Sequence, residues 1–292
     1  MAFGKSSILD SMAVEILLRI LLFVAFVFTD KMKPFQRIIQ PEEWWLYNNP
    51  RTDSYVSTNS LYVLVSVVPM AVIIITSGLK RHLVDTKQAT LALSLGFGIN
   101  CALTNAMKLL VGRPRPDFLE RCFPNGVPKV PTIITAATSC NGIEEVIYEG
   151  QKSFPSGHSS FIFASYTFLS LYLAGKLHIF ESRHRGHSLR LLTAGFPLFF
   201  ALLCAISRTM DYHHHWQDVS VGSLLGIFCA TISYYQYYPE LTHPECHLPL
   251  RHKPSPKFHR TMSDSRLSKG TRNWALEDSA ENSVPLLEVK EM

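Results

Sequence analysis

The stretch 189–237 reads LRLLTAGFPLFFALLCAISRTMDYHHHWQDVSVGSLLGIFCATISYYQY. Two apolar runs flank a turn that holds Arg208, Asp211, three consecutive histidines and Asp218. Each run is close to the ~20 residues a helix needs to cross a bilayer, so the stretch is a membrane hairpin with a chemically dense turn. Working outward, four more runs of this kind precede it, at 13–28, 61–77, 89–111 and 159–177. With 189–206 and 219–237 they make six, and the fold class that follows is an all-α, six-helix polytopic membrane bundle.

Composition agrees. Hydrophobic residues make up 47% of the 292 and charged residues only 17%, against about 25% charged in soluble domains. The net charge of +5 lacks the aromatic-and-basic stripe of a nucleic-acid binder, so no nucleic acid is expected as partner. Few basic residues precede the first run and no small-residue cleavage site follows it, so it reads as a retained helix. Glu15 and Arg19 stand one turn apart in it and can pair or reach the interface. Tyr234, Tyr235, Tyr237 and Tyr238 read as an aromatic belt closing the sixth helix.

The expected organisation is a cytoplasmic N-terminus at 1–12, a membrane domain at 13–240 and a largely disordered cytoplasmic tail at 241–292. Within that tail, 251–272 carries seven basic residues against Asp264, a solvated stretch able to touch anionic lipid. Loop charge orients the bundle. The loop 79–87 has Lys80, Arg81 and Lys87 against Asp85, and 176–190 has four basic residues against Glu181, whereas 30–59 and 112–155 are balanced. The positive-inside rule makes the two basic loops, and with them both termini, cytoplasmic.

Three clusters carry the chemistry: 108–116 (KLLVGRPRP), 154–158 (FPSGH) and 207–218 (SRTMDYHHHWQD). Cluster one leaves the third helix, cluster two enters the fourth, and two crossings later cluster three joins the fifth to the sixth. All three therefore share one membrane face, the extracytoplasmic one. Lys108, Arg115 and Arg208 bring fixed positive charge. Ser156 and Gly157 bring donors at a helix start, where free N–H groups favour an anion. His158 and His214 can move protons or attack phosphorus, and Asp218 stands four residues after His214, one helical turn on. Pro114 and Pro116 stretch Arg113 and Arg115 into a stiff arm, without settling which arginine faces the site.

Lys108-x6-Arg115-Pro116, Pro155-Ser156-Gly157-His158 and Ser207-Arg208-x5-His214-x3-Asp218 together resemble the three-part motif of the type 2 phosphatidic acid phosphatases, the lipid phosphate phosphatases. FQRIIQPEEWWLY at 35–47 and HHWQDV at 214–219 resemble the animal phospholipid phosphatase branch related to diacylglycerol pyrophosphate phosphatases. The resemblance covers roughly 35–246. It implies that Lys108, Arg115, Ser156, Gly157 and Arg208 hold the phosphate. It implies His214 as nucleophile forming a phosphohistidine, Asp218 orienting it, and His158 as general acid and base, with no metal and no cofactor. The implied enzyme is a phosphatidate or diacylglycerol pyrophosphate phosphatase in the endoplasmic reticulum or plasma membrane, with lipid phosphates as partners and a homo-oligomer left open.

Other readings stand beside these. Arg19, Arg113 and Arg121 read as snorkelling anchors, His213 and His215 as bystanders. Asp211, His213, His214, His215 and Asp218 offer ligands to a metal, against the repulsion of the nearby arginines. Asn100, Thr104 and Asn105 are expected to bond between helices, with Asn105 a candidate brace for Lys108. Cys122 and Cys140 share a polar loop and pair if it faces an oxidising compartment. Cys101, Cys204 and Cys229 read as buried small hydrophobes, and Cys246 as a free thiol with palmitoylation as the alternative. A polyprenyl or dolichyl pyrophosphate phosphatase and a non-catalytic lipid-binding relative are the alternative functions.

Overall fold

The computed structural model describes residues 3–79, 83–128, 130, 132–135, 139–183 and 185–251, with backbone alone for 3–11 and 79. Six long helices carry it: α1 Phe3–Asp30, α3 Thr58–Leu79, α4 Leu83–Val111, α7 Gly157–Lys176, α8 Ser188–Met210 and α9 Trp216–Tyr237. Short helices α2 Trp44–Tyr47, α5 Phe118–Cys122 and α6 Glu144–Gly150 lie in the connections. The described residues form no strand beyond one antiparallel bridge between Ile39 and Ile134.

Five of the long helices are long and apolar enough to cross a membrane, and α7 falls short. The reason is its place. It packs against α3, α4, α8 and α9, and all but four of its residues are buried. A helix that faces other helices on every side can carry hydroxyls that bond across to its neighbours. Ser160 meets Thr104 at 2.9 Å and accepts from Asn100 at 3.4 Å, and Ser165 donates to the carbonyl of Val65 at 2.6 Å. Asn100 and Thr104 thus bond between helices as expected. On the other side α9 comes close through two glycines four residues apart. A Cβ on Gly222 would lie 2.6 Å from the Ser156 carbonyl oxygen, and one on Gly226 would strike that of Ser160. This contact brings the second and third sequence clusters together.

At the bundle end away from those clusters, Asp85 accepts from Lys176 at 2.6 Å, Tyr172 at 2.8 Å and Tyr238 at 2.9 Å. The expected aromatic belt is therefore corrected. Tyr234, Tyr237 and Tyr238 are buried and only Tyr235 is exposed, because the Tyr237 and Tyr238 hydroxyls donate to Glu15 and Asp85 and the Tyr234 ring packs against Phe168 and Tyr238. Arg19 is likewise fixed rather than snorkelling. It pairs with Glu15 at 2.7 Å and donates to Ser94 and to the Leu91 carbonyl of α4 and to Tyr237 of α9. The chain past 240 is tied back to the bundle at Cys246 and Leu250. Leu250 N–H donates to the Tyr237 carbonyl at 2.9 Å, and Cys246 is a buried thiol donating to the Gly175 carbonyl. The basic stretch beyond Arg251 lies outside the described residues, as do Lys80, Arg81 and the first two residues.

The connections on the cluster side make a small cap. Ile39, Trp44, Tyr47, Phe118, Leu119, Ile134 and Ile147 form its apolar core. Cys122 and Cys140 are joined in it by a disulfide.

Candidate active site

Helix α4 stops at Gly112, whose φ of +57° suits glycine, and a Cβ there would strike the Phe35 carbonyl. The arm beyond is fixed by two backbone bonds. Arg115 N–H donates to Gly150 at 2.8 Å, and Ser153 N–H donates to Arg113 at 3.0 Å. The residue after that segment, Phe154, leads through Pro155 into Ser156, the N-cap of α7. Ser156 Oγ accepts from Ser159, and its N–H donates to the Asp218 carbonyl at 2.9 Å. The Gly157 and His158 N–H groups at the head of α7 find no acceptor among the described residues.

A cavity of about 460 Å³ opens above this helix start. Lys108, Arg115, Arg208, Gly157, His158 and His214 line it, with Phe26, Leu61 and Phe161 as its apolar floor. Lys108 has no ion-pair partner among the described residues. A Cβ on Gly157 would lie 3.1 Å from its Nζ, so the glycine leaves room for that ammonium. Arg208 is anchored by Asp211 and by Ser54 Oγ at 3.3 Å, and Arg115 is held loosely by Glu149 at 3.5 Å. The Nε–H groups of both arginines are buried without a partner. Buried donors left open in this way suit an anion with several oxygens.

The histidine tautomers follow from their partners. His214 Nδ1 lies 2.8 Å from the Ser153 carbonyl. A carbonyl only accepts, so Nδ1 carries the proton and Nε2 keeps its lone pair. His158 Nε2 lies 3.1 Å from the Val56 carbonyl, so its proton sits on Nε2. Burial pushes His214 down to about 4, against the pull of Asp218 and with help from Arg115, so its ring is neutral near pH 7.

Several expectations are corrected here. Helix α9 begins at Trp216 with His215 as N-cap, so His214 lies outside the helix and the helical-turn relation to Asp218 does not hold. Their closest approach is 3.9 Å. Asp218 instead accepts from Arg113 at 2.7 Å, from Ser153 Oγ at 2.6 Å and from His215 N–H at 3.1 Å. Arg113 is thus an ion-pair partner and not an anchor, because the arm turns it toward α9. Arg121 is buried and paired with Asp117 at 2.6 Å. His215 caps α9 and His213 contacts Asp211 and Ser54, so each has a structural task. Ser156 Oγ accepts at the cap of α7 and does not line the cavity, and Asn105 bonds to Phe26 rather than Lys108. Sequence reasoning missed Ser153, a lone serine in a loop with no spacing signal. The five residues offered for a metal do not converge, because Asp211 faces Arg208 and Asp218 faces Arg113. Among the described residues no group of three or more His, Cys, Asp or Glu side chains is placed to hold one.

Residues 89–241 match the PAP2 superfamily. The chain belongs to this superfamily. It is 38% identical over 229 residues to lipid phosphate phosphatase 2 of Arabidopsis thaliana, covering 78% of each chain. It is 36% identical over 218 residues to diacylglycerol pyrophosphate phosphatase 1 of Saccharomyces cerevisiae, covering 73% of this chain and 74% of that one. These relatives, from a plant and a yeast, do not bear on the animal branch. No solved structure matches the chain. The PAP2 match takes in all three clusters, while the cap residues Ile39, Trp44 and Tyr47 lie before it.

Proposed function

We propose that this PAP2 protein is a metal-independent lipid phosphate phosphohydrolase, removing the terminal phosphate of diacylglycerol pyrophosphate, phosphatidic acid and related lipid phosphates. The observation that carries the reading is His214, a buried neutral imidazole with its lone pair on Nε2, in a cavity that Lys108, Arg115 and Arg208 also line. Nε2 attacks phosphorus and forms the phosphohistidine while the bond from phosphorus to the lipid oxygen breaks. That oxygen is a poor leaving group and takes a proton from His158. With Nε2–H held by Val56, His158 works through Nδ1, which takes the proton of the singly ionised phosphate monoester and passes it to the leaving oxygen. His158 then draws a proton from water as the water oxygen attacks phosphorus, which releases inorganic phosphate and restores His214. Lys108, Arg115 and Arg208, with the N–H groups of Gly157 and His158, balance charge on the phosphoryl oxygens. These fixed cations supply what a divalent ion otherwise would. The apolar floor takes the start of the acyl chains, and the names of the plant and yeast relatives favour a glycerolipid.

The site faces away from the cytosol in this reading, with both termini cytoplasmic, in the endoplasmic reticulum or plasma membrane. The cap disulfide supports an oxidising compartment on the site's side, and the basic loops lie at the other end. The test compares purified wild type and His214→Ala on a lipid phosphate panel in EDTA. Wild-type turnover in EDTA with none in the variant is expected. Loss of wild-type turnover in EDTA refutes the metal-free mechanism, and full turnover by the variant refutes the nucleophile. A tag in the Cys122 to Cys140 loop that a cytoplasmic protease alone can cut overturns the orientation.

A further inference from the structure

A nucleophilic imidazole faces a conflict when a carboxylate stands near. The carboxylate orients the ring, yet it also favours the imidazolium, which has no lone pair to attack phosphorus. His214 and Asp218 are in this position, 3.9 Å apart, with Asp218 fully buried.

The surroundings of Asp218 resolve the conflict. Oδ1 accepts from Arg113 Nη1 at 2.7 Å. Oδ2 accepts from Ser153 Oγ at 2.6 Å and from His215 N–H at 3.1 Å, and lies 3.2 Å from His215 Nδ1. Both oxygens are thus occupied. Of these partners Arg113 alone carries a full, permanent charge. The His214 proton meanwhile rests on the Ser153 carbonyl at 2.8 Å, a neutral acceptor that fixes the tautomer without drawing the proton away. The same serine is tied back to the arginine, since its N–H donates to the Arg113 carbonyl at 3.0 Å. Arg113, Ser153 and Asp218 close a ring with His214 hung from it, and the ring draws one member from each side of the site.

We propose that Arg113 is a positioning residue for the nucleophile: as counter-ion to Asp218 it keeps that carboxylate from drawing a proton onto His214, leaving orientation of the ring to the Ser153 carbonyl. The proposal rests on the reading of His214 as nucleophile. Arg113 lies outside the phosphate cavity, so it acts through Asp218 and does not touch substrate. The other charged or titratable groups around His214 and Asp218 are Lys108 from α4, Arg115 from the arm, His158 from α7, Arg208 from α8, Asp211, His213 and His215 from the turn, and Tyr47 from α2, whose ring lies against His215. An Arg113 substitution leaves all of them in place.

Removing the cation has two effects of one sign. It takes a positive charge from beside the imidazole, and it frees a carboxylate oxygen to stabilise the imidazolium. Both raise the affinity of His214 for a proton, so the acid limb of kcat/KM moves to higher pH.

The test measures kcat/KM against pH for wild type, Arg113→Met, Arg113→Lys and Ser153→Ala on one short-chain phosphatidic acid in detergent with EDTA. One substrate throughout makes its own ionisation common to every profile. Arg113→Met is expected to move the acid limb up by about one pH unit, the low end for loss of a near charge. Its deficit relative to wild type is then about tenfold larger on the acid side than at alkaline pH. Arg113→Lys restores most of the displacement. Ser153→Ala loses one donor to Asp218 but keeps the carbonyl, and moves the limb the same way by less. If Arg113→Met fails to fold, the serine variant carries the test. Activity that falls equally at every pH, or a limb that moves down, overturns the proposal and leaves Arg113 a structural residue. An inactive wild type or a fully active His214→Ala removes both this inference and the reading beneath it. An active wild type and a dead His214→Ala, with unshifted Arg113 and Ser153 profiles, remove this inference alone.

Discussion

Gly157→Ala separates the two tasks of the α7 N-terminus. The backbone there is helical, so alanine fits the helix and does not weaken it. The new Cβ, however, would lie 3.1 Å from Lys108 Nζ and 3.7 Å from its Cε. Comfortable contact needs about 3.5–4.0 Å, so the ammonium retreats by roughly 0.5–1 Å. At an effective dielectric of about 20, unit charges about 3 Å apart attract by about 5.5 kcal/mol, and at about 4 Å by about 4.2 kcal/mol. The difference of about 1.4 kcal/mol is about tenfold in kcat/KM. The assay is lipid phosphate hydrolysis in detergent, with a thermal melt of the same sample. The expected result is an unchanged melt and a roughly tenfold lower kcat/KM. A double-mutant cycle with Lys108→Met sharpens it, because alanine should cost little once the ammonium is gone. Full activity in Gly157→Ala, or the same loss with and without Lys108, refutes the reasoning.

Further outcomes are expected elsewhere. Replacing Cys122 and Cys140 by serine opens a link spanning 18 positions and should cost about 3 kcal/mol by loop entropy, seen as a lower melting temperature that reductant reproduces in wild type. Asp85→Asn removes a buried carboxylate that accepts from Lys176, Tyr172 and Tyr238 and should destabilise by about 3 kcal/mol; an unchanged melt contradicts it. Gly226→Leu drives a side chain onto the Ser160 carbonyl, and folded protein in the usual yield would show that α7 and α9 are not packed as described. With His214 held down to about 4, protonation removes its lone pair only in acid. The nucleophile's limb in kcat/KM should thus lie well below pH 6.5, the ordinary histidine value, and a limb near that value contradicts the burial.

The long helices were legible because membrane solvation writes itself into hydropathy, and the site because its helix parity and three-part motif are local patterns. What escaped shares a different origin. Ser153 and Arg113 are forty positions apart, and their partnership exists only because the arm lies along the segment before α7. Neither residue type nor spacing encodes that. The His214 to Asp218 spacing suggests a shared helix, yet with His215 as N-cap the helix starts at Trp216, two residues past His214. Tyr238 resembled an interfacial tyrosine until Asp85, from another helix, supplied it with a buried acceptor. The cap left a trace that could have been followed. Ile39, Trp44 and Tyr47 are large apolar residues in a connection between membrane helices, and all three are buried.

The enclosure of α7 bears on the order in which the protein is assembled. The hydroxyls of Ser160 and Ser165 find partners in Asn100, Thr104 and Val65, and these belong to α3 and α4, which leave the ribosome first. The partners still to come, α8 and α9, close over it afterwards, with Gly222 and Gly226 admitting the last of them. Chain order thus gives the least apolar helix a prepared berth on one side and a lid on the other. The nucleophile and Arg208 arrive with the lid, so the catalytic turn joins a phosphate cradle whose earlier part, Lys108, Arg115 and the start of α7, precedes it in the chain.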